Sequence, residues 1–327
     1  MPSPESHFPA LSNAARPPIV LIVGPTAVGK TEIALQLAEQ LQGEIVSVDS
    51  RLLYRGMDIG TAKPSPAELA RLPHHLIDVA EPDQVWSLAV FQRAAHEAIA
   101  GIHQRGRLPF LVGGTGQYIR AVIEEWDIPQ AAPDHRLRQA LENWSAEIGP
   151  FSLHQRLAAL DSQAAASIDP HNIRRTIRAL EVILSTGQRF SSQRQRKPVR
   201  YQALQIGLAR PRPDLYGRID ARIEAMIEAG FADEVKRLLA QGFSPELPTL
   251  SAIGYAEMIQ YLQGTLSLDE AIVLMKRRTR VFVRRQANWF KETDPAIHWF
   301  QVTENVSQQI AAQIKAWLAQ IGGTRND

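Results

Sequence analysis

Cysteine is absent from this chain. That absence excludes disulfides, thiolate zinc sites, iron–sulfur clusters and cysteine nucleophiles, and it fits a reducing, cytoplasmic setting. Long apolar runs are also missing. None approaches the roughly 18 residues that a membrane-spanning helix needs, so no membrane is expected as a partner. Residues 1–16 are rich in Pro, Ser and Ala but lack the apolar stretch of a signal peptide, and they read as a disordered leader. Neither sign of charge prevails: 36 Lys and Arg against 34 Asp and Glu leave a net charge of +2, so the chain as a whole is not a polycation. The nine His residues show no metal-ligand spacing, and no Ser-His-Asp arrangement can be assembled. What remains is the composition of a globular protein, with 45% hydrophobic and 21% charged residues over a length of 327 that allows one large domain or two moderate ones.

The most informative segment that is present is GPTAVGKT: Gly24, Pro25, Thr26, Ala27, Val28, Gly29, Lys30 and Thr31. It is a complete G-x-x-x-x-G-K-[ST] loop. An apolar, β-branched run (residues 18–23) precedes it, as a buried strand would. Apolar residues at helical spacing follow over Glu32–Leu41. Strand, glycine loop and helix N-terminus together make an anion site, in which backbone N–H groups meet phosphate oxygens, Lys30 adds a point charge and the Thr31 hydroxyl can ligate Mg²⁺. A bound di- or triphosphate is the expectation; the loop alone leaves open whether it is a nucleotide such as ATP.

Further apolar runs at Glu44–Val48, His75–Val79, Pro109–Val112 and Ala203–Leu208 alternate with helical patterns such as Leu88–His103. This predicts an α/β fold, a P-loop NTPase-like parallel sheet flanked by helices. Ligands collect at the carboxyl ends of such strands, where Lys30, Asp49 and Thr115 stand. From about Trp126 to Arg200 the alternation fails. Prolines and the runs Leu137–Ile148, Leu153–Ala166 and Asn172–Ser185 predict a mostly helical insertion domain over residues 126–200. The core is then 17–125 plus 201–315, helical from about Asp214 onward, and 316–327 reads as a flexible tail.

Three motifs bear on chemistry. Ile45–Val48 ends in Asp49-Ser50-Arg51, where the carboxylate suits a general base, a metal-linked group or a helix cap. Leu111-Val112 ends in Gly113-Gly114-Thr115-Gly116, where an ordinary NTPase has a Walker-B Asp; a second close backbone approach to ligand, with the Thr115 hydroxyl for a phosphate oxygen, fits as well as a tight turn does. The third is charge. Residues 172–200 hold Arg174, Arg175, Arg178, Arg189, Arg194, Arg196, Lys197 and Arg200 against the single acid Glu181. Residues 276–291 hold Lys276, Arg277, Arg278, Arg280, Arg284, Arg285 and Lys291 with no acid, interleaved with Phe282, Trp289 and Phe290. Two such stretches beside a phosphate site read as a nucleic-acid footprint, against the bland alternative of solvated helix faces.

With these residues assembled, the segments GPTAVGKT, Ser47–Pro64 (SVDSRLLYRGMDIGTAKP), Leu111–Tyr118 (LVGGTGQY), Arg174–Val182 (RRTIRALEV) and Val283–Phe290 (VRRQANWF) closely resemble bacterial tRNA dimethylallyltransferases. The likeness runs from about Pro18 to about Phe300. It implies transfer of a dimethylallyl group from dimethylallyl diphosphate to N6 of the adenosine 3′ of the anticodon (position 37) in tRNAs reading UNN codons, by a cytoplasmic enzyme that uses Mg²⁺ and binds the anticodon stem-loop; a monomer is expected because no exposed apolar seam is evident. By the same resemblance, Asp49 is the general base and Thr115 and Lys30 attend the leaving diphosphate. Gly24 to Thr31 bind the diphosphate together with Arg218 or Arg222, and Thr31 holds the Mg²⁺. Asp49, Ser50, Arg51, Leu52, Thr115, Arg138, Arg174, Arg175, Thr176, Ile177 and Arg178 meet the tRNA. The chain departs from the family at Leu52-Leu53, where many members carry Gln-Val. Rival readings are an adenylate isopentenyltransferase acting on free AMP, ADP or ATP, a nucleotide kinase, and a non-catalytic RNA-binding protein.

Overall fold

The computed structural model describes residues 16–128, 134–192 and 198–323. The rest of the expected leader, Arg194, Arg196 and Lys197 of the basic stretch, and residues 324–327 lie outside the described residues. In chain order the elements begin β1 (Pro18–Val23), α1 (Lys30–Gln40), β2 (Gly43–Ser47), α2 (Pro66–Arg71), β3 (His74–His75), α3 (Leu88–Gln104), β4 (Leu108–Val112) and α4 (Gly116–Ile123). Four helices follow: α5 (His135–Ile148), α6 (Pro150–Leu160), α7 (Ser162–Ala166) and α8 (Ile173–Thr186). The chain closes with β5 (Gln202–Ala209), α9 (Arg212–Glu228), α10 (Phe231–Ala240), α11 (Tyr255–Leu262), α12 (Leu268–Gln286), β6 (Ile297–Gln301) and α13 (Val306–Gly323).

Two compact units result: Glu124–Val199, and everything on either side of it. The larger unit is built on a six-stranded sheet in the order β3-β2-β4-β1-β5-β6, with every pairing parallel. β1 is buried from Ile19 to Val23, the continuous apolar burial of a strand covered on both faces. Because β4 lies between β1 and β2, the carboxyl ends of these three strands stand side by side. The smaller unit packs α5–α8 around Leu141, Leu153, Leu157, Ile168, Ile177 and Leu180.

Several sequence expectations need correction. The strand expected over His75–Val79 is only His74–His75, because Leu76 (φ 62°) and Asp78 (φ 53°) are left-handed and break the extension. The helix expected over Leu153–Ala166 is split at Asp161, whose carboxylate caps α7 through Ala164 N–H (3.0 Å) and also accepts from Ser191 N–H (2.7 Å). The C-terminal part is not all helical: β6 adds an edge strand to β5. Nor does the tail begin at 316, since α13 continues to Gly323 with its inner face, Ile310 and Ile314, in the core.

The segment after Asp49 forms no helix before α2. Turns occupy residues 51–62, and buried Glu234 of α10 holds them. Its carboxylate accepts from the N–H groups of Asp58 (3.0 Å), Ile59 (2.7 Å) and Gly60 (3.2 Å) and from the Tyr255 hydroxyl (2.6 Å). Lys63, itself nearly inaccessible, donates to the Tyr54 carbonyl and pairs with Asp58 and Asp78. Burying donors is tolerable only when acceptors meet them. Glu234→Ala leaves four donors without their acceptor, so it is expected to cost on the order of 3 kcal/mol in urea unfolding, with Glu234→Gln losing less, and to make residues 57–63 the first site of limited proteolysis.

Candidate functional site

The glycine loop leaves β1 and enters α1 through Gly29. Within it Ala27 adopts φ 68°, a left-handed residue of the kind that gathers successive N–H groups on one side of an anion-binding turn. The loop's carbonyl oxygens face cations. Lys30 Nζ donates to the carbonyls of Gly24 (3.0 Å) and Pro25 (2.9 Å). Arg218 Nε donates to Ala27 O (2.7 Å) and Arg210 Nε to Val28 O (2.9 Å). Arg222, on the same face of α9 one turn beyond Arg218, is close enough to Lys30 to repel it. Arg218 is thus bonded to the loop itself, whereas Arg222 acts on Lys30 through its charge. Arg210 went unnoticed in the sequence, although it directly follows strand β5, where a ligand-facing residue belongs.

Burial drives the Lys30 ammonium down to about 8; the Asp49 carboxylate opposes this fall and Arg222 adds to it. Burial and Arg218 together lower Arg222 as well. This is a concentration of positive charge with little local compensation, as an anion seat requires. Thr31 is exposed in the first turn of α1. Among the described residues no group of three or more His, Asp or Glu could hold a metal ion. The donor set instead fits a magnesium ion held by one hydroxyl, ligand phosphates and water.

Asp49 and Thr115 come together from β2 and β4. Ser50 N–H donates to Thr115 Oγ1 (3.3 Å), and Asp49 Oδ1 accepts from Arg51 N–H (2.9 Å). Asp49 thus closes its own turn and caps no helix. The Arg51 guanidinium turns toward the carbonyls of Thr249 (3.2 Å) and Pro248 (3.4 Å). Leu52 stays partly accessible while Leu53 is buried.

One residue here had no role assigned from the sequence, although it lies within the Val283–Phe290 segment. Gln286, the last residue of α12, is buried. Its Oε1 accepts from Thr26 N–H (2.9 Å) and its Nε2 donates to Gly114 O (3.4 Å). A Cβ on Gly114 would stand 2.3 Å from Gln286 Nε2, and one on Gly116 would stand 2.4 Å from the Trp289 ring. The glycines after β4 therefore admit the end of α12.

The remaining site residues belong to the smaller unit. Arg138 and Arg178 both pair with buried Glu181 (2.8 and 2.9 Å). Burial pushes the Glu181 carboxyl up, but its bonds to Arg138 and Arg178 outweigh that and hold it below the usual range. Each arginine keeps about a third of its side chain exposed. Arg174 and Arg175 are exposed on α8. Thr176 and Ile177 differ from their neighbours: their side chains are buried in the unit's interior and offer no exposed group. In the second basic stretch, sequence distance concealed the acids. Lys276 pairs with Glu224, Arg278 with Glu257 and Arg280 with Asp220. Arg277, Arg284, Arg285 and Lys291 remain exposed beside Phe282 and Trp289.

The family model for IPP transferases matches residues 52–293, and that for isopentenyl transferases matches residues 17–81. A tRNA dimethylallyltransferase of Roseiflexus sp. (strain RS-1) is 53% identical over 301 residues, 92% of this chain and 99% of its own. One from Dehalococcoides mccartyi is 44% identical over 93% of this chain and 94% of its own. Among solved structures, a full-length tRNA isopentenylpyrophosphate transferase from Bacillus halodurans aligns with TM-score 0.72 and 41% identity, covering 96% of this chain and 100% of that one. A eukaryotic dimethylallyltransferase acting on tRNA aligns with TM-score 0.78 and 26% identity over 93% and 80%. The P-loop-like core is common to them. No helix among the described residues is long and apolar enough to cross a membrane.

An anion on the loop needs the Lys30 ammonium, which the free protein loses as pH rises through about 8. Affinity for inorganic pyrophosphate, taken as a ratio to that of Lys30→Arg, should stay level below that pH and fall by about tenfold per unit above it. Isothermal titration across this range checks the expectation; a ratio independent of pH would contradict it.

Proposed function

The chain belongs to the tRNA dimethylallyltransferase family of prenyl-transferring enzymes, and from that membership we propose the chemistry of its site. The donor is dimethylallyl diphosphate, and the acceptor is N6 of the adenosine 3′ of the anticodon, position 37, in tRNAs that read UNN codons. The N6 lone pair forms a bond to C1 of the allyl group while the C1–O bond breaks and diphosphate departs. Asp49 takes the proton that N6 loses. The observation that carries this reading is the junction at the ends of β2 and β4: the Ser50 N–H bonded to Thr115 Oγ1 joins the Asp49 turn to the glycine turn, while the charge of Asp49 is felt at Lys30. A base and an anion seat are thus neighbours.

An exocyclic adenine amine is a weak nucleophile, so the reaction depends on the leaving group. Lys30, Arg218, Arg222 and the loop N–H groups stabilise negative charge as it develops on the diphosphate. Mg²⁺, held by Thr31 and the diphosphate, would supply further charge neutralisation when bound. Asp49 Oδ1 is engaged by its own turn, which leaves Oδ2 for the amine. The target base must leave its stack to reach the carboxylate.

Each unit offers the tRNA a basic surface of its own: the exposed Arg174 and Arg175 of α8 in the smaller unit, and in the larger the face of α12 bearing Arg277, Arg284 and Arg285 beside Phe282 and Trp289. Cations with interleaved aromatic rings suit a polyanion with unstacked bases. The rival reading, prenylation of free adenine nucleotides, leaves such surfaces without purpose, and the curated relatives that span most of the chain are tRNA enzymes.

With dimethylallyl diphosphate and Mg²⁺, mass analysis of nucleosides should find a C₅H₈ gain on the tRNA adenosine and none on AMP. Asp49→Asn should cut turnover by about 10²–10⁴-fold while tRNA binding is kept; full turnover in that variant would remove Asp49 as the base. Removing both Arg284 and Arg285 should reduce the salt slope of tRNA binding by about 1 per arginine.

A further inference from the structure

The buried residues of α12 are Ala271, Met275, Val283 and Gln286. They form the inner stripe of an amphipathic helix, and the stripe ends in an amide. At that end the helix meets polar backbone. The Thr26 N–H and the Gly114 carbonyl come from loops after different strands, β1 and β4, and a buried backbone group without a partner is costly. A primary amide has one acceptor and one donor on a single planar group, so it can satisfy both loops at once. Apolar residues of similar size can satisfy neither.

The contact also fixes a geometry. With Oε1 at 2.9 Å from Thr26 N and Nε2 at 3.4 Å from Gly114 O, Gln286 sets how far the glycine loop stands from the turn that carries Thr115. The main chain after Gln286 returns to the same place: Trp289 lies over Gly116, and its backbone carbonyl and ring both meet Arg120 (3.5 Å to the carbonyl, 5.7 Å to the ring centroid). The clamp is therefore seated on both sides. Thr26 N–H is committed to Gln286.

The geometry points to Gln286 as a positioning residue for prenyl transfer: it holds the diphosphate-binding loop and the Gly113–Thr115 turn at the separation that brings the allyl carbon to the amine. This rests on the reading of those loops given under Proposed function. Gln286 touches neither substrate in this account and acts through Thr26 and Gly114. A displacement of about 1 Å at a reacting centre can cost about a hundredfold in rate, so the effect falls on kcat. The exposed side of α12 is left intact, so the KM for tRNA should not move.

The test is steady-state kinetics of full-length Gln286→Met and Gln286→Glu, with thermal melting of each. Gln286→Met removes both hydrogen bonds at nearly constant volume. Gln286→Glu keeps the acceptor for Thr26 N–H but sets a carboxylate oxygen against the Gly114 carbonyl. Both should lose at least about tenfold in kcat, with the tRNA KM within about twofold of the unsubstituted protein and a retained cooperative melt. If Gln286→Met does not fold, the same values in Gln286→Glu carry the test. A kcat within about twofold of the unsubstituted protein in either folded variant, or losses that merely follow the folded fraction, would overturn the inference. Absence of prenyl transfer by the unsubstituted protein in the same assay would instead overturn the reading of the site, and this inference with it.

Discussion

Cationic side chains hold the glycine loop by its carbonyl oxygens, and much of the site depends on that grip. Lys30, Arg210 and Arg218 between them satisfy the carbonyls of Gly24, Pro25, Ala27 and Val28. Charge-assisted bonds of this kind are stronger than neutral ones. Each also sets the orientation of a peptide plane: a carbonyl drawn toward a cation directs the following N–H the opposite way. The loop's shape and its excess positive charge thus have one cause. Burial, and after it the same crowding, depresses Lys30 and Arg222. A site so arranged is stabilised by any polyanion that enters it.

A second constraint acts at a distance from the chemistry. The run Met57–Lys63 is part of the segment that carries the family resemblance, yet its backbone N–H groups turn to Glu234 and its Lys63 ammonium to Asp78 and the Tyr54 carbonyl. Its part is to brace the turns that follow Asp49. The segment is thus explained by hydrogen-bond satisfaction of an irregular stretch of chain, and Asp49 lies just upstream of it.

Charge needed the tertiary structure most. Along the sequence, residues 276–291 contain no acid, and the run reads as uniformly basic. In space, three of its cations meet carboxylates from α9 and α11, which leaves a narrower face on α12. Likewise the single acid of the 172–200 stretch, Glu181, is the buried anchor for Arg138 and Arg178, and its burial is what keeps those two guanidinium groups in one place.

The sequence by itself determined the loop, its flanking strand and helix, the alternation that makes a parallel sheet, and the roles open to Lys30, Asp49 and Thr115. These are local signals, because glycines, an apolar run and helical spacing act over a few residues. It did not reveal β6, since a five-residue edge strand draws its stability from pairing with β5 and not from its own pattern. It did not separate Thr176 and Ile177 from their exposed neighbours, because which face of a helix is buried depends on what packs against it. Arg210, Glu234 and Gln286 were decided only by the tertiary structure. Each acts on backbone groups distant in sequence, and Gln286 lies 260 residues from Thr26. A hydrogen bond across such a separation has no periodicity to betray it; it exists only once the sheet has brought the two ends of the chain together.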